Sequence, residues 1–248
     1  MEQSAGDMPA SDAWLSEDEL SCLNRLRIPK RKEEWRLGRW TAKRSVAGCF
    51  GLPCHPAALA KIEVVPGCSG APIIFFDRQP ASVTISLSHR AGRAVCAVAA
   101  AQMRIGCDVE LIEEHSAAFL SDYFTEDEQG IIEKLPRHKR AFTATLLWSS
   151  KESALKALHM GLRMDTRHLN VSLMEQLSPT VSDLWLDAYP MRLSRADSGD
   201  EEAESDLWHP FRVMLRGSPA FIGWWRNRDP FVQTLALRVA LEPQMFEE

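Results

Sequence analysis

Two segments of this 248-residue chain repeat one another, and this repeat restricts the folds that the chain can adopt. Residues 40–46 (WTAKRSV) align with residues 148–154 (WSSKESA), and each segment lies within a long amphipathic stretch. Each is preceded by a capping-box sequence, at residues 16–19 (SEDE) and 125–128 (TEDE). Elements that recur in the same order indicate two related structural units. Chance resemblance between two amphipathic helices is the alternative.

The repeat predicts an α/β chain of the α+β kind. We expect two similar subdomains in a pseudo-twofold arrangement, each with a small mixed or antiparallel sheet packed on a long helix. The boundary is predicted near residue 104, which gives subdomains of residues 1–104 and 105–248. The length agrees, because the chain exceeds the roughly 100 to 150 residues of a typical domain.

Local patterns predict the elements. A first helix is expected from the Ser16 cap to about Arg27, before Pro29, and a second from about residue 32 to 47, ended by Gly48. The first ten residues are predicted to be frayed. Apolar and polar residues alternate over 83–87 and 105–111, which predicts strands, and residues 89–93 predict a turn before a strand at 94–101 buried on both faces. Further strands are expected at 168–173, 185–189, 211–215, 220–225 and 234–240, and a surface loop at the acidic residues 198–206.

Composition narrows the functional class. Hydrophobic residues make up 45% and charged residues 25%, which is typical of a globular protein. The net charge of -5 argues against nucleic acid or an anionic membrane as a partner, so any anion-binding surface must be local. The longest apolar run, residues 94–101, is too short to span a bilayer, and the acidic N-terminus does not resemble a signal peptide. We therefore expect a soluble cytoplasmic protein.

The cysteines do not predict a disulfide framework or a zinc site. No two of the six are spaced as a C-x-x-C pair, and they are interpreted as reduced core residues. They are Cys22, Cys49, Cys54, Cys68, Cys96 and Cys107.

Asp108 and Glu110 form a candidate metal-binding pair. They lie two residues apart on a predicted strand, so both side chains project from one face while Cys107 and Val109 face the core. Paired hard oxygen ligands suit Mg²⁺, which takes one or two carboxylates and completes its shell with waters and substrate phosphates. The alternative is a solvated polar strand face.

Trp148, Glu152 and Lys156 form a second candidate group. Their spacing of four places them on one side of a helix. An ordinary surface pair of Glu152 and Lys156 is the alternative, but the first repeat has Arg44 in place of Glu152, so the helix does not require a carboxylate there. Trp148 is expected to pack rather than to take part in chemistry.

A third group surrounds the predicted turn at residues 89–93. It combines hydroxyl, imidazole and guanidinium donors, which suit a phosphate, although each residue alone is typical of a turn or a surface. Its members are Ser86, Ser88, His89, Arg90 and Arg93.

In order and spacing, these segments resemble the signature of the Sfp-type 4′-phosphopantetheinyl transferase superfamily. The matching strings are SLSH at 86–89, GCDVE at 106–110 and WSSKESALK at 148–156, and residues 31–43 resemble the N-terminal helix of the family. The resemblance extends from about Leu15 to Leu173. It implies a pseudo-twofold monomer whose halves hold coenzyme A between them, with nucleotide contacts in residues 1–104 and the metal site and catalytic helix in 105–248.

The resemblance also implies residue roles. Asp108, Glu110 and Glu152 would hold Mg²⁺, with Mn²⁺ as the alternative, against the pyrophosphate of coenzyme A. Glu152 would be the base for the carrier serine, and Lys156 would contact the leaving phosphate. Ser88 and His89 would hold the nucleotide phosphates. Glu128 matches a further family carboxylate, but it is also the capping-box acid.

One departure from the family pattern is visible. Many members have Gly-Lys-Pro before the Ser-x-Ser-His strand, with a lysine that binds the nucleotide, whereas this chain has Gly70-Ala71-Pro72. The candidates to replace that lysine are Arg31, Arg39 and Lys43. A basic solvated helix face is the alternative role for these three.

The predicted activity is transfer of the 4′-phosphopantetheine arm of coenzyme A to a serine of an apo acyl or peptidyl carrier protein, with release of 3′,5′-ADP. Phosphoryl transfer requires positioning, a metal, a base and a cation for the leaving group, and these residues can fill those roles. An acidic carrier is expected to dock near the basic run at residues 137–140. The alternatives are a metal-dependent coenzyme A or nucleotide phosphohydrolase and a catalytically silent coenzyme A-binding protein.

Overall fold

The computed structural model describes residues 1–174 and 207–238. The strand predicted at residues 185–189 and the loop predicted at 198–206 lie outside the described residues. In the described part, helices combine with small antiparallel sheets, so the predicted α+β class is confirmed.

The elements of residues 1–104 begin with a short strand and two helices. In chain order they are β1 (Glu2–Ser4), α1 (Glu17–Arg25), α2 (Pro29–Phe50), α3 (Pro56–Leu59), β2 (Ile62–Pro66), β3 (Pro72–Phe76), β4 (Gln79–Pro80), β5 (Val83–Arg90) and β6 (Arg93–Ala100). The described residues from 105 onward contain the second long helix, α6 (Arg137–Leu158). Their described elements are β7 (Ile105–Leu111), α4 (Ala117–Tyr123), α5 (Glu126–Lys134), α6 (Arg137–Leu158), β8 (Leu169–Leu173), β9 (His209–Leu215), β10 (Ser218–Arg228) and β11 (Phe231–Arg238).

The described strands form three sheets. One sheet has the order β1-β6-β5, another β2-β3-β4, and the third β7-β11-β10-β9-β8. Neighbouring strands in these sheets are antiparallel. The prediction that the N-terminus is frayed is wrong, because β1 pairs with β6 and Gln3 lies opposite Ala94.

Helix α2 begins earlier and ends later than predicted, because its proline and glycines take other positions in the helix than expected. Pro29 occupies the first turn, where its missing N–H would have no helical partner, so it begins the helix instead of only ending the preceding one. Gly48 lies within the last turn, and the helix ends at Gly51, whose φ of 64° is the left-handed conformation of a C-cap.

The repeat is visible in the contacts that anchor the two long helices. In α1, the Glu19 carboxylate accepts from the Ser16 N–H and from the Val64 N–H of β2, and it pairs with buried Lys43 of α2. In the second copy, the Glu128 carboxylate accepts from the N–H groups of Thr125 and Val171 and pairs with buried Lys151 of α6 at 2.6 Å. Each lysine also donates to a backbone carbonyl that precedes the capping box, that of Trp14 or Tyr123. The same buried network therefore occurs twice, whereas the pseudo-twofold arrangement and the boundary at residue 104 stay predictions.

Two smaller predictions need correction. The turn predicted at 89–93 is shorter, because β5 and β6 pair as far as Arg90 and Arg93 and only Ala91 and Gly92, both with positive φ, connect them. The strand that follows is less buried than predicted, since its second half is partly exposed.

The interpretation of the cysteines is only partly correct. All six are free, but only Cys96 and Cys107 are buried, and the other four are exposed. None of the helices in residues 1–174 and 207–238 provides the apolar length that a bilayer crossing requires.

Candidate functional site

Close packing between β7 and α6 creates the site. A Cβ atom on Gly106 would lie 1.8 Å from the carbonyl oxygen of Ser153 and 2.7 Å from the backbone nitrogen of Ala157. Only glycine at this position allows the helix to approach the strand so closely. The facing turns of α6 carry small residues, including Ser149 and Ser153, so the helix backbone lies directly against the strand.

Asp108 is the centre of a buried hydrogen-bond network. Its side chain, 3% exposed, accepts at Oδ1 from Ser88 Oγ at 2.7 Å and from Lys156 Nζ at 2.6 Å. Its Oδ2 accepts from Ser149 Oγ at 2.8 Å. Ser149 is in turn within 2.9 Å of the hydroxyl of Thr234 on β11. The interpretation of Asp108 as part of a solvated strand face is therefore wrong, because α6 covers that face.

Glu110 lies at the edge of this network, where β7 becomes more exposed. It forms an ion pair with Arg90, whose Nε lies 3.3 Å from Glu110 Oε2. Burial raises the pKa of Glu110 to about 7, and the charge of Asp108 adds to this shift, whereas Arg90, Lys156 and a hydrogen bond from Trp148 oppose it. A carboxylate with this pKa favours a cation nearby.

Glu152 presents an unsatisfied oxygen to the interior. Its Oε1 is buried and has no hydrogen-bond partner among the described residues. Burial raises the pKa of Glu152, the charge of Asp108 raises it further, and Lys156 opposes the shift. A buried carboxylate oxygen without a partner is costly, by about 1 to 3 kcal/mol or more, so the arrangement is suited to a positive ligand.

Lys156 forms its ion pair with Asp108, at 2.6 Å, and also donates to Ser88 Oγ at 2.8 Å. The interpretation of Glu152 and Lys156 as an ordinary surface pair is therefore wrong. Burial by itself lowers the pKa of Lys156, but attraction to Asp108, Cys107 and Glu152 outweighs burial, and the net pKa is raised. The amine is thus a permanent cation in a half-buried position.

Trp148 packs as predicted and also supports the site. Its ring contacts Phe119 and Tyr123 edge-on, with centroids 5.0 Å away in both cases. Its hydrogen bond to Glu110 connects this aromatic cluster to the acidic strand.

The three carboxylates do not form a preassembled metal centre. Within residues 1–174 and 207–238, no group of three histidine, cysteine or acidic side chains converges on one metal position. The physical reason is that two of the three carboxylates already form ion pairs within the protein. Asp108 pairs with Lys156, and Glu110 pairs with Arg90. The donor set nevertheless fits a hard divalent ion, because Glu152 Oε1 has no other partner in the described structure and all three donors are carboxylates.

The predicted phosphate cradle is divided among several roles. Ser88 belongs to the Asp108 network, and Ser86 Oγ accepts from the Cys107 N–H at 2.9 Å, which joins β5 to β7. Arg93 lies 3.5 Å from Glu2, whereas Arg90 pairs with Glu110 and Glu113. His89 is exposed at the strand end; desolvation of its ring lowers its pKa, Glu34 opposes this and Lys156 adds to it. A neutral imidazole can still donate one N–H to a phosphate.

The three basic candidates of α2 differ in availability. Arg31 is exposed, and Arg39 is partly buried, stacked 4.7 Å over the Trp35 ring and 3.9 Å from Glu19. Lys43 has a side chain that is 0% exposed, and it is held by Glu19 and by the Trp14 carbonyl. Lys43 is therefore not part of a solvated face, and the buried partners of its amine argue against the contact with coenzyme A, which stays a prediction.

Glu128 is a structural residue in this arrangement. Its carboxylate is fully buried and is shared among Lys151, Thr125 and Val171, which leaves it in the capping network and not in the Asp108 network.

Sequence reasoning missed three contributors to the site. Ser149 could have been found, because it lies three residues before Glu152 and seven before Lys156 on the same helix face. Thr234 had no local signal, since only the pairing of β11 with β7 places it opposite Asp108. The ion pair between Arg90 and Glu113 depends on the approach of β5 to the end of β7 and was also not predicted.

The segment that carries most of these residues is similar to known proteins. The family model of the 4′-phosphopantetheinyl transferase superfamily matches residues 104–206, which begin at β7 and include all of α6. A holo-[acyl-carrier-protein] synthase from Streptococcus sanguinis (strain SK36) is 37% identical over 86 residues, which cover 34% of this chain and 69% of that relative. The chain belongs to the 4′-phosphopantetheinyl transferase superfamily.

Proposed function

We propose that this protein transfers the 4′-phosphopantetheine moiety of coenzyme A to a serine of an apo acyl or peptidyl carrier protein and releases 3′,5′-ADP. Family membership supports the reaction class, and the similar protein named as a holo-[acyl-carrier-protein] synthase supports a carrier protein as acceptor. The strongest support from the site is the buried Oε1 of Glu152, which has no partner among the residues that the structure describes and lies beside the acids of β7. We place the chain among the Sfp-type members, acting as a cytoplasmic monomer.

Asp108, Glu110 and Glu152 would hold Mg²⁺, or alternatively Mn²⁺. The metal would neutralise negative charge on the pyrophosphate of coenzyme A. The unpartnered oxygen of Glu152 and the raised pKa of Glu110 both favour a cation at this position. The remaining steps depend on side chains of the chain itself.

Glu152 is the proposed general base. The carrier serine hydroxyl attacks the phosphorus of the pantetheine phosphate, the new O–P bond forms, and the bond to the 3′,5′-ADP oxygen breaks. The serine proton passes to Glu152, so the serine oxygen does not have to attack as a free alkoxide. The raised pKa of Glu152 suits this role, because a base with a pKa nearer the working pH accepts a proton more readily.

Lys156 supplies the cation for the departing phosphate. Its raised pKa keeps the amine protonated, and its position between Ser88 and Asp108 fixes its direction. Ser88 and His89 lie next to it at the end of β5, where they can hold the nucleotide phosphates. Arg31 and Arg39 remain the candidates on α2 for the contact that the missing lysine would have made.

Docking of an acidic carrier is proposed at the start of α6. Arg137 and Lys139 are exposed there. Arg140 donates to the carbonyls of Leu135 and Glu133, so it closes the end of α5 and is less available. Charge reversal of Arg137 and Lys139 is expected to weaken carrier binding while coenzyme A binding is retained; an unchanged carrier affinity would exclude this surface.

The first test is the intact mass of a purified apo carrier protein after incubation with the enzyme, coenzyme A and Mg²⁺. We expect the mass of one phosphopantetheine group to be gained, and we expect this gain to be lost with chelator or with Glu152→Gln. Glu133→Gln, a change at an exposed carboxylate of α5, is the matched control and should keep activity. Release of 3′,5′-ADP without a carrier would identify a phosphohydrolase, and coenzyme A binding without turnover on any carrier type would identify a silent binding protein.

A further inference from the structure

Arg90 is shared between two carboxylates. Its Nε lies 3.3 Å from Oε2 of Glu110, and a terminal nitrogen of the same guanidinium donates to Glu113 Oε1. Glu110 is a proposed cation ligand, whereas Glu113 follows β7 and has a side chain that is 45% exposed. One guanidinium therefore connects an acid of the site to an acid outside it.

This arrangement creates a competition at Glu110. The positive charge of Arg90 next to Glu110 Oε2 opposes the approach of a divalent ion to the same oxygen. Because Glu113 already contacts the guanidinium, Arg90 can leave Glu110 without losing its carboxylate partner. The corresponding movement is short, since both acids lie within reach of Arg90 in a single conformation.

We propose that Arg90 and Glu113 set the affinity of Glu110 for a divalent cation. Arg90 competes with the cation for Glu110, and Glu113 is a positioning residue that draws Arg90 away from it. This inference rests on the proposed function, because it takes Glu110 as a cation ligand. It differs from a role of Arg90 as a phosphate contact, which would change the affinity for coenzyme A instead.

The test is a double-mutant cycle that measures Mn²⁺ binding by electron paramagnetic resonance, without coenzyme A. We expect Arg90→Gln to tighten Mn²⁺ binding about threefold to fivefold, the size of change that a partly exposed charge pair can produce. Glu113→Gln should weaken binding by about threefold, because Arg90 then stays on Glu110. In the double variant, loss of Glu113 should have no further effect, so its affinity should match that of Arg90→Gln.

The charge-matched control is Arg93→Gln. Arg93 is the cross-strand partner of Arg90, but it pairs with Glu2 and is not among the charges that shift the pKa of Glu110. The Mn²⁺ affinity of the Arg93→Gln variant should stay close to that of the wild type. Circular dichroism and thermal melting of each variant report whether the fold is intact.

Several outcomes would overturn the inference. If Glu113→Gln weakens Mn²⁺ binding equally with and without Arg90, Glu113 acts on the cation directly. If Arg90→Gln leaves Mn²⁺ affinity unchanged and weakens coenzyme A binding in chelator, Arg90 is a phosphate contact. In both cases Mn²⁺ still binds the wild type, and the proposed function stands. Failure of Mn²⁺ to bind the wild type would overturn both this inference and the metal site of the proposed function.

Discussion

Replacement of Gly106 by alanine should damage both the fold and the site. The added Cβ would lie 1.8 Å from the Ser153 carbonyl oxygen, so α6 must move by about 1.2 Å to reach a separation of 3.0 Å. This helix carries Ser149 and Lys156, whose bonds to Asp108 are 2.8 and 2.6 Å long. A shift of this size would stretch both bonds beyond good hydrogen-bond geometry.

The expected losses can be measured separately. Overpacking of this kind costs about 1 to 3 kcal/mol of unfolding free energy, and a misplacement of about 1 Å in a catalytic group lowers the rate by about 100-fold. Urea denaturation reports the first, and the rate of carrier modification by intact mass reports the second. Gly130→Ala is the matched control, since nothing lies within 4 Å of an added Cβ in α5 and alanine favours a helix. If Gly106→Ala retained wild-type stability and a rate within about threefold of the wild type, the close approach of α6 would not be required.

Three further predictions concern stability. Because the folded state raises the pKa of Glu110 to about 7, the contribution of its protonated carboxyl to metal-free stability should be fully present below pH 4.5 and should be lost, by at most about 3 kcal/mol, as the pH rises through 7. The difference between the wild type and Glu110→Gln in urea denaturation with chelator should isolate this contribution, and an equal pH dependence of the two proteins would contradict the shift. Glu128→Gln should cost about 3 to 5 kcal/mol by the same assay, since it leaves buried Lys151 without its carboxylate, whereas Glu133→Gln should be near neutral. His159→Gly should raise the melting temperature, because His159 ends α6 with a φ of 56° and glycine adopts this left-handed conformation without the steric cost of a Cβ atom. A lower melting temperature would refute this.

Local signals predicted the elements best where one residue type decides the structure. Both capping boxes are present, and β7 has the predicted bounds, because alternation is unambiguous over its seven residues. The ends of α2 were not predictable from Pro29 and Gly48 alone. A proline can end one helix or begin the next, and a glycine ends a helix only where the chain needs a positive φ, which here is Gly51.

The candidate site was predictable as a set of residues but not as a set of contacts. The motifs located Asp108, Glu110, Glu152 and Lys156, and strand and helix periodicity correctly placed the two pairs on one face each. Periodicity could not show that the two faces are opposed, since this depends on Gly106 and on small residues far along the chain. For the same reason, the burial of Asp108 was not visible in the sequence.

Comparison of the two copies separates charges that hold the fold from charges that serve the site. Glu19 and Glu128 have equivalent partners in the two copies, and so do Lys43 and Lys151. The contacts that recur in both copies therefore form a buried anchor for the long helix. At the positions of Glu152 and Lys156 the first copy has Arg44 and Gly48 instead. The long helix therefore forms without this acid and this amine, which supports the proposal that they serve the site beside Asp108 in the second copy. A buried carboxylate oxygen that lacks a partner within the described structure is a cost that the fold does not require, and this is the physical reason why we propose a chemical role for Glu152 and a structural role for Glu128.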